Sequence, residues 1–195
     1  HIVIDEAQDF STFQLYVLKK IVKDSSFTIL GDLSQGIHSY RGVERWDDVA
    51  EHVFDDGRSR YLTLEQSYRT TIEIMEAANK VIAKFKHKDL VPAKPVIRHG
   101  DKVQVTGKGG LKEIAEDIAG KLQQFKGGNL KSTAVICKSM EECKTMLSHL
   151  KGSCPEIYVI TGKEKEYKGG TVIVPSHLAK GLEFDAVMVA NAGSG

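Results

Sequence analysis

Two hydrophobic patterns alternate along this chain, and each predicts a different element. Short continuous apolar runs predict strands buried on both faces. They fall at residues 2–4, 27–30, 134–137, 157–160, 171–174 and 186–190. Apolar residues spaced three or four apart predict helices that bury one face. One such stripe is Leu15, Leu18 and Val22, and another is Ile72, Met75, Asn79 and Ile82, with a polar residue inside it. The clearest is Leu111, Ile114, Ile118, Leu122 and Phe125, followed by Gly127-Gly128, which can end a helix. Met140, Cys143, Leu147 and Leu150 make a fourth. Val103 and Val105 alternate with polar residues and predict a further strand. Residues 43–62 show no clean period, and Pro92 and Pro95 mark residues 86–101 as a linker or loop.

Strand and helix alternate in both halves, so the predicted fold class is α/β. Strand–helix–strand units close right-handed into parallel sheets, and ligands bind at the carboxyl ends of their strands. The first two predicted strands run into Asp5-Glu6 and Gly31-Asp32. Both acidic groups are therefore expected at one rim.

Composition narrows the class. The chain has 195 residues, 41% hydrophobic and 27% charged, as in an ordinary globular protein of one large or two small domains. A net charge of +1 argues against a uniformly basic nucleic-acid coat but leaves room for a local basic groove. The three cysteines form no CxxC pair, which argues against a zinc site or a disulfide framework and for reduced thiols in a cytoplasmic protein. No apolar run reaches the roughly 18 residues needed to span a bilayer. The chain opens inside an apolar run without an initiator Met, so it is expected to be a fragment that lacks an N-terminal part.

Four strings carry chemistry. In Asp5-Glu6-Ala7-Gln8-Asp9 a buried strand delivers two carboxylates to its end, the Walker B arrangement. Asp5 can hold Mg²⁺ through water, and Glu6 can orient and deprotonate an attacking water. A solvated acidic loop is the plainer reading of a strand followed by two acids, and the added Ala7-Gln8-Asp9 makes the string more specific. In residues 31–42, Gln35 can reach a terminal phosphate or the lytic water, and Tyr40 can stack on an unpaired base. Residues 62–71 place Arg69 before a helix, where it can neutralise charge on a transferring phosphoryl group. Residues 172–185 carry His177, Lys180, Gly181 and Glu183 after a strand. The plain reading of Lys180-Gly181 is a helix C-cap.

In this order and spacing the four strings resemble motifs II, III, IV and V of the UvrD/Rep-like helicases of superfamily 1. The resemblance implies parts of two RecA-like P-loop NTPase motor lobes, the first ending near residue 63 and the second running over residues 64–195. It implies ATP and Mg²⁺ as cofactors, single-stranded DNA as partner, and an ATP site in the cleft between the lobes. Asp5, Glu6, Gln35, Tyr68, Arg69, Gly181 and Glu183 are then expected at ATP, with Tyr68 on the adenine and Glu183 on the ribose. His38, Tyr40, Arg41, His177 and Lys180 are expected on the DNA or phosphate side. The chain departs from the usual pattern at His38, where an aromatic is common, at Tyr40, where Trp is common, at Ser67, where Asn is common, and at Pro175, where Thr is common.

There is no GxxxxGK[ST] string, so the chain alone is expected to hydrolyse no ATP. The family's last motif is also absent. Only about twenty residues separate Leu150 from Thr171, too few for an inserted accessory domain. That short connection, with Asp5-Glu-Ala-Gln-Asp-Phe-Ser and Leu30-Gly-Asp-Leu-Ser-Gln, is most similar to the HelD/helicase IV-like branch. The alternatives are a HelD-like ATPase acting on RNA polymerase and a non-enzymatic interaction module.

Overall fold

In a computed structural model, β1 (Ile2–Ile4) is followed by helix α1 (Thr12–Ile21) and by β2 (Phe27–Ile29), which pairs parallel to β1 in register Ile2↔Phe27 to Ile4↔Ile29. The structure describes all residues except 24–25, 37–41, 56, 85–91, 126–127, 129, 165–166, 168 and 194–195. It divides into two compact units, His1–Val105 and Thr106–Gly195.

In the first unit a capping box starts α1. The Gln14 N–H donates to Ser11 Oγ at 3.2 Å, and the Ser11 N–H donates to Gln14 Oε1 at 2.8 Å. Of the predicted stripe, Leu15 is fully buried, Leu18 packs at the edge of the core, and Val22 is the residue that caps the helix end. Helix α2 (Trp46–His52) completes this core. Ile4, Ala7, Leu15, Val43, Val49 and Val53 are its buried residues. Then come β3 (Gln66–Ser67), α3 (Ile72–Ile82) and β4 (Lys94–Pro95), with β3 and β4 parallel. The four residues of the predicted α3 stripe are all half-buried. Asn79 fits there because its Nδ2 donates to the Ala93 carbonyl at 2.9 Å. Pro95, expected in a loop, sits in β4, where the bonds to β3 come from the Lys94 and Val96 N–H groups on either side.

The compact units divide later than the expected lobe boundary at residue 63. Within the first unit β4 packs against both β3 and α3, and the Ile72 N–H donates to the Arg98 carbonyl at 2.9 Å. The strand predicted at Val103 and Val105 is a correction: residues 101–108 form no strand. Val103 is 47% exposed and Val105 92%. Alternation alone does not make a strand where no neighbour among the described residues completes its backbone hydrogen bonds.

In the second unit, α4 (Leu111–Phe125), β5 (Ser132–Cys137), α5 (Met140–Leu150), β6 (Tyr158–Val159), β7 (Gly170–Pro175), α6 (Ser176–Ala179) and β8 (Ala186–Val189) follow in order. The sheet has strand order β6-β7-β5-β8, and every pair in it is parallel. Side chains alternate between its faces. Val135, Cys137 and Ile173 pack against α4 and α5, while Ala134, Val172 and Val174 pack on the other side with Leu178, Ala179 and Phe184. The fold class is therefore α/β with parallel sheets, as the sequence pattern predicts. No helix among the described residues is long and apolar enough to cross a membrane.

Candidate functional site

The first cluster forms at the carboxyl end of β1 and β2. The parallel ladder continues past both strands, as the Leu30 N–H donates to the Ile4 carbonyl at 2.8 Å and the Ala7 N–H to the Leu30 carbonyl at 2.9 Å. Asp5 and Glu6 leave β1 at this rim, and Gly31 and Asp32 leave β2 beside it. Glu6 takes the left-handed conformation (φ 53°, ψ 35°), which costs a residue with a Cβ about 1–2 kcal/mol. Hydrogen bonds hold it, among them one that its carbonyl accepts from the Asp9 N–H at 3.0 Å. Its N–H donates to Asp5 Oδ1 at 2.8 Å, and Gln8 Nε2 donates to Glu6 Oε2 at 2.5 Å. The backbone then winds into the 3-10 turn Ala7–Asp9, with Ala7 and Gln8 buried and both carboxylates exposed.

Gln35 ends a second 3-10 turn, Leu33–Gln35, which Asp32 caps. Asp32 Oδ1 accepts from the Ser34 N–H at 2.9 Å and from Ser34 Oγ at 2.6 Å, while Gln35 Nε2 donates to Asp32 Oδ2 at 2.7 Å. The structure thus gathers Asp5, Glu6 and Gln35 at one rim. Asp32 stands at this rim as the strand ends predict, and the structure adds a residue to which the sequence pattern gave no role, Gln8. Gln8 is 2% exposed, and its Oε1 accepts the Asp32 N–H at 3.0 Å. Its only sequence signal is an amide two residues past the acidic pair. His38, Tyr40 and Arg41 lie outside the described residues.

The donor set at this rim fits Mg²⁺. That ion is bound by one or two carboxylates, substrate phosphates and water rather than by an all-protein cage. Asp5 is exposed, and among the described residues its Oδ2 has no hydrogen-bond partner. No group of three His, Cys, Asp or Glu among the described residues forms a cage.

Tyr68 and Arg69 follow β3. Tyr68 is 70% exposed, and its hydroxyl donates to Gln66 Oε1 at 3.1 Å. Arg69 is exposed two residues before Thr71, the N-cap of α3. The helix start is pinned by Glu73, which accepts from His99 Nδ1 at 2.9 Å and from the Gly100 N–H at 2.9 Å. These bonds, that to His99 foremost, hold the Glu73 carboxyl at about 2, well below its ordinary 4.5.

The remaining candidates lie in the second unit, past β7. His177 and Glu183 are exposed and Lys180 is half-buried. Lys180 (φ −59°, ψ 131°) and Gly181 (φ +78°) have type II turn values, and the Leu182 N–H closes the turn onto the Ala179 carbonyl at 3.1 Å. This accounts for the glycine better than a helix C-cap does, because position i+2 of that turn requires positive φ. Nothing lies within 4 Å of where a Cβ on Gly181 would be, so its surroundings are open. Pro175 is fully buried in β7 opposite Cys137, so its ring faces the interior. Two carboxylates brace opposite ends of the second unit's sheet. Glu142, 8% exposed, accepts from the Lys138 N–H at 2.7 Å and from Asn191 Nδ2 at 2.9 Å, joining the carboxyl ends of β5 and β8. Asp185 Oδ2 accepts from the N–H groups of Lys131 and Ser132 at the start of β5. Those backbone bonds hold its carboxyl below the usual range.

Residues 62–168 match the UvrD-like helicase C-terminal domain, and residues 1–45 match the UvrD/REP helicase N-terminal domain. The chain is similar to the ATP-dependent DNA helicase Rep of Buchnera aphidicola, at 30% identity over 127 residues, 63% of this chain and 18% of that protein. It is similar to DNA helicase II of Haemophilus influenzae, at 27% identity over 149 residues, 75% of this chain and 20% of that protein. Among solved structures it is similar to the C-terminal domain of a possible DNA helicase from Lactobacillus plantarum, at 28% identity and a TM-score of 0.47, over 63% of this chain and 67% of that one. The chain spans about a fifth of the length of the curated relatives it matches. These relatives lend no support to the HelD-like branch, to RNA polymerase as a partner, or to a non-enzymatic module.

Proposed function

The chain belongs to the UvrD/Rep-like superfamily 1 helicase family, and from that premise we propose that it is a section of an ATP-driven helicase that moves on single-stranded DNA. The observation that carries the reading is the rim of β1 and β2, where Asp5, Glu6 and Gln35 meet at the carboxyl ends of two parallel strands. Ligands bind at such ends.

On this reading Glu6 is the general base that takes a proton from the attacking water. Its left-handed backbone turns the carboxylate out of the strand direction, and its bond from Gln8 fixes one oxygen. Asp5 holds Mg²⁺ through water, which neutralises charge on the phosphates. Gln35 orients the water or senses the terminal phosphate. Residues 1–63 belong to the first RecA-like motor lobe and residues 64–195 to the second, which supplies Arg69 to the phosphoryl charge, Tyr68 to the adenine, and Gly181 and Glu183 to the nucleotide. His177 and Lys180, with His38, Tyr40 and Arg41, form the DNA side. The type II turn supports the role of Lys180, because it presents that side chain next to a glycine with open space around it. The protein is cytoplasmic, and this chain, which has no GxxxxGK[ST] string, hydrolyses no ATP by itself.

The test is Glu6→Gln in the full-length protein, with steady-state ATP turnover measured in the presence of single-stranded DNA. Turnover is expected to fall by about 10²–10⁴, the range for loss of a general base, while ATP binding persists. Near-wild-type turnover would sink the assignment.

A further inference from the structure

Among the described residues of the first unit, Gln8 is the buried polar side chain that bonds to both halves of the rim, and the reading above gives it only the fixing of one Glu6 oxygen. Its carboxamide has a single chemically sensible orientation. A carboxylate only accepts hydrogen bonds and a backbone N–H only donates, so Nε2 must face Glu6 and Oε1 must face Asp32. The next bond runs from Gln35 Nε2 to Asp32 Oδ2. A continuous path of hydrogen bonds therefore joins Glu6, Gln8, Asp32 and Gln35.

The surrounding structure is shaped to keep that amide in place. A Cβ on Gly31 would lie 2.7 Å from Gln8 Oε1 and 2.7 Å from the Trp46 ring, so only glycine at 31 lets the amide reach the Asp32 N–H. The Gln8 carbonyl accepts the Val43 N–H at 3.2 Å, which anchors its backbone. Burial at 2% exposure means that water offers no substitute partner if either bond is lost.

We propose that Gln8 is a positioning residue that locks the Glu6 carboxylate to the turn carrying Gln35, so that the base and the phosphate-contacting amide move as one body. The inference rests on Glu6 being the base. A shift of Gln35 on meeting or losing a terminal phosphate passes through Asp32 and Gln8 to the carboxylate that must face the water. Without Gln8 the Glu6 carboxylate loses the bond that ties its Oε2 to the Asp32 side of the rim, and its alignment with the attacking water is no longer coupled to Gln35.

Gln8→Met keeps the size and loses both bonds, and Gln8→Glu, assayed at a pH high enough that the two carboxyls do not share a proton, keeps the acceptor for the Asp32 N–H while removing the donor to Glu6. Both are made in the full-length protein beside Glu6→Gln, with ATP turnover, ATP binding and thermal midpoint measured for each. Both variants are expected to lower kcat about 10- to 100-fold, as for loss of a buried hydrogen bond to a charged group, while KM for ATP stays within about threefold. Added to Glu6→Gln, Gln8→Met is expected to change kcat by less than about twofold, because two residues acting as a unit are not additive. A kcat within about twofold of wild type in Gln8→Glu, with Glu6→Gln collapsed, overturns the proposal and leaves the base assignment intact. A Gln8→Met loss that multiplies fully with Glu6→Gln overturns it too, since Gln8 then acts elsewhere. If Gln8→Met lowers the thermal midpoint below the assay temperature, Gln8→Glu decides alone. Near-wild-type turnover in Glu6→Gln removes the base reading itself, a separate failure.

Discussion

Each unit ties two neighbouring strand ends together with one buried polar side chain, and the two ties differ in a telling way. In the second unit Glu142 bridges the ends of β5 and β8, and both groups that it meets, the Lys138 N–H and the Asn191 amide, are donors. The charge is satisfied, and the central strands β5 and β7 behind it are buried on both faces. In the first unit Gln8 bridges the ends of β1 and β2, and one of its partners is the exposed carboxylate of Glu6. Behind it stand a two-stranded sheet and a single core. Glu142 closes a scaffold, whereas Gln8 leaves a reactive group facing outward. A neutral amide suits the second task, because it offers a donor to the carboxylate and an acceptor to the backbone at once.

That contrast breaks first at the cores. Ile173 is fully buried at the centre of the four-stranded sheet. Ile173→Ala is expected to cost about 2–5 kcal/mol, counting lost transfer energy and the cavity left behind. The chain has one tryptophan, Trp46, at the edge of the first core. Denaturant unfolding followed by circular dichroism should therefore shift, while the Trp46 fluorescence midpoint stays put. Equal shifts in both probes would show that the two units unfold as one and would erase the comparison.

The reverse experiment is Gly31→Ala. The new Cβ meets the Trp46 ring and Gln8 Oε1 at contact distances that force one of them to move. Overpacking of this kind costs about 1–3 kcal/mol. Here the fluorescence midpoint should fall and the second unit's transition should not. An unchanged Trp46 midpoint would mean that the rim tolerates a side chain at position 31, and the tight fit around Gln8 would lose its support.

Much of this was legible because it is local. The α4 stripe and the strands of the second sheet follow from spacing alone, and Asp5 and Glu6 are readable because they directly follow a buried run. What escaped was non-local or short. The Gln8–Asp32 bond joins residues 24 apart and depends on the register of β1 with β2. Strands β3 and β4 have two residues each, too few to show a period. Helix α2 buries only Val49, so no stripe marks it. Val103 and Val105 misled in the opposite direction, with alternation but no partner strand among the described residues. The turn at Lys180-Gly181 needed backbone angles to be told from a helix end.

The smallest expected effect lies on the surface of the first unit, where Glu73 and His99 pin the residue 96–100 segment to the start of α3, close in sequence to Arg69. The Glu73 carboxyl is held at about 2 in the folded protein against an ordinary 4.5. A depressed carboxyl favours the folded state above its unfolded value, and that support is lost as pH falls through the folded value. The contribution is thus complete above about pH 4.5 and disappears between about 4.5 and 2. Glu73→Gln removes the charge that titrates. Unfolding midpoints of wild type and variant, compared at steps across that window, should differ most at its upper edge and converge toward its lower one. A gap that stays constant through the window would show that the Glu73–His99 pair gives no pH-dependent support, leaving the Gly100 N–H bond and backbone packing to hold the segment that precedes the second unit.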